Sequence, residues 1–163
     1  MKIRRALVTV LASWMSLSAS AFEISEWTGV WERYSAEGQV EERITAKEVI
    51  EGKLLSSKIE YFKDGKPVGD GATVMSDLQG KVRASMHFTN GLQIELDTLA
   101  REEDSVFFQL RQINLATGEQ VAEMFTRFTL LTVDGKQVLR QDVYKDKEQN
   151  TALVSVDFYK KAV

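Results

Sequence analysis

Residues 81–89 and 92–99 alternate strictly between apolar and polar side chains on either side of Asn90-Gly91, and this pair of segments constrains the fold more than any other feature. Val82, Ala84, Met86 and Phe88 share one face of the first segment, opposite Arg83, Ser85, His87 and Thr89. Leu92, Ile94 and Leu96 oppose Gln93, Glu95 and Asp97 on the second. A period of two marks half-buried strands, and Asn-Gly between them marks a hairpin. Register selects the loop. A two-residue loop would set Phe88 against Gln93 and bring an apolar face onto a polar one. A three-residue loop, Thr89-Asn90-Gly91 with Gly91 left-handed, pairs Phe88 with Leu92, Met86 with Ile94 and Ala84 with Leu96, and is the expected one.

Similar punctuation recurs at Asp64-Gly65, Gln79-Gly80, Thr117-Gly118 and Asp134-Gly135. Between these turns, residues 27–35, 40–45, 54–62, 106–115, 121–133, 138–144 and 153–159 are rich in β-branched and aromatic side chains. The one proline, Pro67, follows a turn, where a missing donor does little harm. Helical periodicity is confined to short turns, near residues 22–26 or 100–104. The expectation is an all-β, antiparallel up-and-down barrel of eight to ten strands, because closure buries the apolar face and removes both edges. A two-sheet sandwich is the alternative.

The first 21 residues stand apart. Lys2, Arg4 and Arg5 precede an apolar run over residues 6–17, and Ala19-Ser20-Ala21 offers small residues at both recognition positions of a signal peptidase. The run is shorter than the ~20 residues a permanent anchor needs. Arg4-Arg5 reads as an ordinary basic n-region for the general secretory route rather than twin-arginine export. The expected product is a soluble periplasmic or secreted domain, residues 22–163, starting at Phe22. Cleavage leaves 142 of the 163 residues, enough for one domain with a core. The leader's three cations come off a total of 21, leaving 18 basic against 24 acidic residues and a net charge of −6. That balance opposes nucleic acid and anionic membrane surfaces as partners. There is no cysteine, so thiol catalysis, thiolate metal sites and disulfides are all excluded.

The first strand opens Trp27-Thr28-Gly29-Val30-Trp31-Glu32. A glycine two residues before a tryptophan at the start of the first strand resembles the glycine-x-tryptophan signature of lipocalins and related calycins. The chain as a whole looks like bacterial exported lipocalin-like domains whose function is unassigned. The resemblance implies a barrel closed at one end by Trp31, a cavity reached from the other, and a late basic residue, Lys160 or Lys161, packed over the tryptophan. The second lipocalin signature, a threonine-aspartate-tyrosine-type turn, is absent, as is the usual disulfide.

Catalytic and metal patterns find little support. His87, the only histidine, falls on the polar face and has no cysteine to activate. Glu95 and Asp97 share that outward face, and Glu102-Glu103-Asp104 fall in a loop, so surface solvation accounts for both groups. Gly69 and Gly71 precede no helix and read as a bulge or bend rather than a phosphate cradle. No glycine-x-serine-x-glycine elbow is present. No metal, cofactor or catalytic set is expected.

The alternation instead directs Val82, Met86, Phe88, Ile94, Leu96, Phe108, Leu110, Met124 and Phe128 to the walls or floor of an interior, with Phe107 and Phe108 competing for the inside and Met75 a further candidate. An eight-stranded barrel either packs solid or holds one small ligand. Two functions follow: a module binding a small apolar or amphipathic molecule, or a filled envelope domain that meets protein partners through its surface. The first is the leading expectation, resting on the meander, the Gly29/Trp31 entry and the inward-facing apolar set. The second is the alternative, supported by the absence of a polar constellation that would orient a ligand.

Overall fold

The computed structural model describes residues 23–149 and 153–162. The expected leader, its expected cleavage site and Phe22 lie outside the described residues. Ten strands follow one another: β1 (Gly29–Tyr34), β2 (Val40–Ile50), β3 (Leu54–Lys63), β4 (Lys66–Leu78), β5 (Lys81–Phe88), β6 (Leu92–Arg101), β7 (Ser105–Asn114), β8 (Gln120–Val133), β9 (Lys136–Tyr144) and β10 (Ser155–Lys161). Each pairs antiparallel with its neighbours in sequence, and β10 returns to β1, so the sheet is a closed barrel rather than a sandwich. Among the described residues no helix is long and apolar enough to cross a membrane.

The hairpin at Asn90-Gly91 takes the three-residue loop. Ala84 pairs with Leu96 and Met86 with Ile94, in line with Phe88 opposite Leu92. Gly91 sits at φ +83, and its N–H donates to the Phe88 carbonyl at 3.0 Å. The interior parity follows: Val82 and Ala84 are buried, whereas His87 is exposed and bonds sideways to Ser85, Nε2 to Oγ at 3.0 Å.

Some boundaries differ from the expected ones. Trp27 belongs to a single 3₁₀ turn, Ile24–Trp27, rather than to β1. The Glu26 carboxylate accepts from the Glu23 N–H at 3.0 Å and caps that turn, so the local polar pairing outweighs the strand preference of tryptophan. β2 runs on to Ile50, with a bulge between Glu48 and Ile50. β10 starts at Ser155, not 153. Residues 100 and 101 extend β6 past another bulge instead of forming a turn.

The 3₁₀ turn lies over one end of the barrel and packs against β3 and β4. Ile24, Trp27 and Trp31 are buried there, and Trp31 Nε1 donates to the Trp27 carbonyl at 2.8 Å. Trp27 stacks at a tilt on Phe128, ring centres 5.1 Å apart. Val82, Leu96, Val106 and Phe108 pack into the same floor, all but inaccessible. Burying each of these side chains contributes about 1.5–3 kcal/mol.

The floor also accounts for the Gly-x-Trp spacing. Lys161 on β10 brings its ammonium to 5.2 Å from the Trp31 ring centre, and Nζ donates to Gln137 Oε1 at 2.9 Å. Gly29 holds φ +110, and a Cβ there would meet Lys161 Cε at 3.0 Å. Glycine is thus needed twice over, for its backbone and for the space the lysine stem takes. Of the two candidate lysines, Lys160 points outward, over the Tyr34 ring at 5.8 Å.

Candidate functional site: the barrel cavity

Away from the floor the inward side chains do not meet, and they leave a cavity of about 320 Å³. This is at the lower end of the volumes that hold small molecules. Met86, Phe88, Ile94, Leu96, Leu110, Met124 and Phe128 all line it, brought together from β5, β6, β7 and β8. Of the nine residues the alternation singled out, the other two, Val82 and Phe108, lie in the solid floor, each 0% exposed. Phe108 contacts Phe128 edge-on at 6.0 Å. Its neighbour Phe107 faces outward yet is only 5% exposed, because Phe125, Tyr144 and the Arg127 guanidinium cover it. Two adjacent phenylalanines on opposite faces are thus both buried, one by the core and one by surface side chains.

Deeper still, a second void of about 60 Å³ lies between Trp27, Trp31, Leu55, Met75 and Leu139. It shares Ile44, Ile59, Met86 and Phe128 with the larger cavity. Thr73 also lines it, and its buried hydroxyl has no hydrogen-bond partner among the described residues.

The opposite wall of the larger cavity corrects the expectation that no polar constellation could orient a ligand. Arg33, Glu42, Tyr61, Gln141, Asp157 and Tyr159 line it, from β1, β2, β3, β9 and β10. Arg33 Nε donates to Glu42 Oε2 at 3.3 Å, and Tyr159 Oη donates to that same oxygen at 3.0 Å. Gln141 Oε1 lies 3.3 Å from Tyr159 Oη, and its Nε2 donates to Thr126 Oγ1 at 3.3 Å. On the solvent side, Arg33 bonds Glu41 at 2.6 Å and faces Asp157 at 3.7 Å, an ion pair longer than a hydrogen bond. The Arg33 and Asp157 side chains are 27% and 30% exposed, so the cavity reaches solvent at this end.

Burial sets the electrostatics. It pushes the Glu42 carboxyl above its ordinary value, against the pull of the Tyr159 hydrogen bond and the Arg33 charge. Desolvation raises the Tyr159 and Tyr61 phenols as well, with the Glu42 charge adding to both. Burial works against the Arg33 charge, but Tyr159, Glu42 and Asp157 outweigh it and hold the guanidinium above its usual value.

These six residues were missed because they are polar side chains scattered over five strands, where solvation is the usual account. Parity was the available signal. Arg33 stands two from Trp31, Glu42 two from Ile44, Tyr61 two from Ile59, and Asp157 two from Tyr159. In strands, such spacing places both side chains on one face.

The acids that did attract attention are elsewhere. Glu95 and Asp97 form an outer ladder with Arg111, and Arg83 reaches Asp97 at 3.2 Å. Glu102 pairs with Arg127 at 2.7 Å. Gly71 is explained by proximity: a Cβ there would lie 2.6 Å from the Phe88 ring. A bulge between Tyr61 and Phe62 accompanies the nearby Gly69. No protein-family model matches the chain, and no curated protein matches it.

Proposed function

We propose that the protein is an exported lipocalin-like carrier that holds one small amphipathic molecule inside its barrel. The observation that carries this reading is the cavity itself: apolar side chains from β5 to β8 face a hydrogen-bonded polar wall from β1 to β3, β9 and β10. An apolar body would displace water from Met86, Ile94, Leu110 and Met124, and a polar end would meet the Arg33–Glu42–Tyr159 group. The outer face supports a soluble protein: Arg83, Glu95, Asp97 and Arg111 stand where a membrane barrel turns apolar residues to lipid. Release to the periplasm or the medium rests on the basic-apolar-small pattern of residues 1–21.

Binding of an apolar fluorophore tests the reading. Met86→Trp, which fills the cavity, and Phe88→Asp, which charges its wall, should each reduce affinity at least about tenfold, a loss of ~1.4 kcal/mol. His87→Ala should leave it unchanged. A wild-type protein that binds no apolar probe overturns the proposal.

A second reading has one observation in its favour. Val156 and Phe158 point outward on β10 with substantial exposure, and exposed Tyr34 lies on the adjoining β1. An exposed apolar patch suits a protein partner. Native mass spectrometry of protein taken from its own compartment separates the two, by a small-molecule adduct or a co-purifying polypeptide.

A further inference from the structure

The polar wall carries an imbalance that bears on which molecules fit. Its charged members are one cation, Arg33, and two anions, Glu42 and Asp157. Arg33 is already engaged by both, and a third carboxylate, Glu41, holds it from the rim at 2.6 Å. A carboxylate or phosphate entering the cavity would find the only cation taken and three like charges around it. A cation would find the reverse. Among the described residues Asp157 is held only by the 3.7 Å ion pair, which leaves its oxygens able to accept from a ligand. The aromatic surroundings point the same way: Tyr61 and Phe88 lie 6.0 Å apart by ring centres, both on the cavity, with Tyr159 a third ring. Ring faces attract cations and offer nothing to anions.

Resting on the carrier reading, we infer that the ligand is a cationic amphiphile: an amine whose ammonium sits between Asp157 and Glu42, with its apolar body running down toward Met86 and Phe128. A small cavity limits the body. About 320 Å³ is roughly ten times the ~30 Å³ of a water molecule, room for a chain of modest length but not for a bulky lipid. The ammonium would separate two acids that otherwise repel each other inside the barrel, and burial from water strengthens that attraction.

A matched series tests the head group apart from the cavity. Decan-1-amine, decan-1-ol and decanoate carry the same tail and are titrated calorimetrically into the wild-type protein at neutral pH, below their aggregation limits. The amine should bind about tenfold or more tightly than the alcohol, and decanoate more weakly than either. Asp157→Asn and Glu42→Gln should each weaken the amine several-fold while the alcohol stays within about twofold. Equal binding of all three overturns the inference and leaves the carrier reading standing. Preference for decanoate overturns it too. An amine preference that survives both substitutions removes these carboxylates from the site. Binding of none of the three defeats the carrier reading and this inference together.

Discussion

Tyr159 and Glu42, 117 residues apart, meet at 3.0 Å inside the barrel, and Arg33 of the intervening strand bonds the same carboxylate oxygen at 3.3 Å. One buried oxygen thus ties β10, β1 and β2 together on their inner face. The arrangement satisfies the groups but does not fully offset the burial of charge, since Glu42 is left with a raised pKa.

That raised value gives stability a signed pH dependence. Below the ordinary glutamate value near 4.5, Glu42 is protonated in both folded and unfolded chains and has no effect on the slope. As pH rises past that value, the unfolded chain releases the proton first. The folded state then binds more protons, and stability falls until the folded pKa is passed. Glu42→Gln removes this contribution. Its stability relative to wild type, from urea unfolding, should therefore increase between about pH 4.5 and neutrality. A difference that stays flat or shrinks over that range would show that ionised Glu42 is held comfortably.

Gly91→Val should cost about 1–3 kcal/mol, because a β-branched residue resists the φ of +83 that the bulged loop requires. Open space surrounds the position, so the loss comes from backbone strain and not from a clash. Gly91→Asn, better suited to left-handed backbone, should recover part of it. Equal denaturation midpoints for glycine and valine would refute the three-residue register.

The Thr73 hydroxyl is buried beside the deep void, with no partner among the described residues. Replacing it with an isosteric methyl removes an unsatisfied group, so Thr73→Val should stabilise the protein by about 1 kcal/mol. Thr73→Ser keeps the hydroxyl and loses a methyl, and should destabilise by a similar amount. Loss of stability in the valine variant would place a bound water or another partner on that oxygen.

Export predicts a precise product. N-terminal sequencing of protein recovered outside the cytoplasm should read Phe-Glu-Ile-Ser, beginning at Phe22. Recovery there with residues 1–21 attached would refute processing at Ala21.

The barrel was readable because its strands punctuate cleanly. At the hairpin around Asn90-Gly91, the apolar parity on both sides admits one register, and β5 and β6 take it. Turn dipeptides located four of the other eight reversals. The first strand was placed two residues early because tryptophan favours strands in general, whereas Trp27 is held in a turn capped by Glu26. The apolar half of the cavity was accessible for the same reason as the hairpin. Its polar half was not, because Asp157 and Tyr159 join the Arg33–Glu42 pair only after the barrel closes, and a charged residue in a strand is ordinarily a solvated one.

The closure has a bearing on how the chain reaches this shape. Nine of the ten strand pairings join consecutive segments and can form as soon as each hairpin exists. The tenth, β1 with β10, sets Trp31 against Lys161 across 130 residues of chain. Loop-closure entropy makes that pairing the slow one. Until β10 has been made, β1 remains an unpaired edge, Trp31 lacks its lysine cover, and Glu42 lacks its tyrosine. The seam therefore acts as a timer: a nascent chain can build most of the wall early, but it closes the cavity only when the last strand pairs with the first.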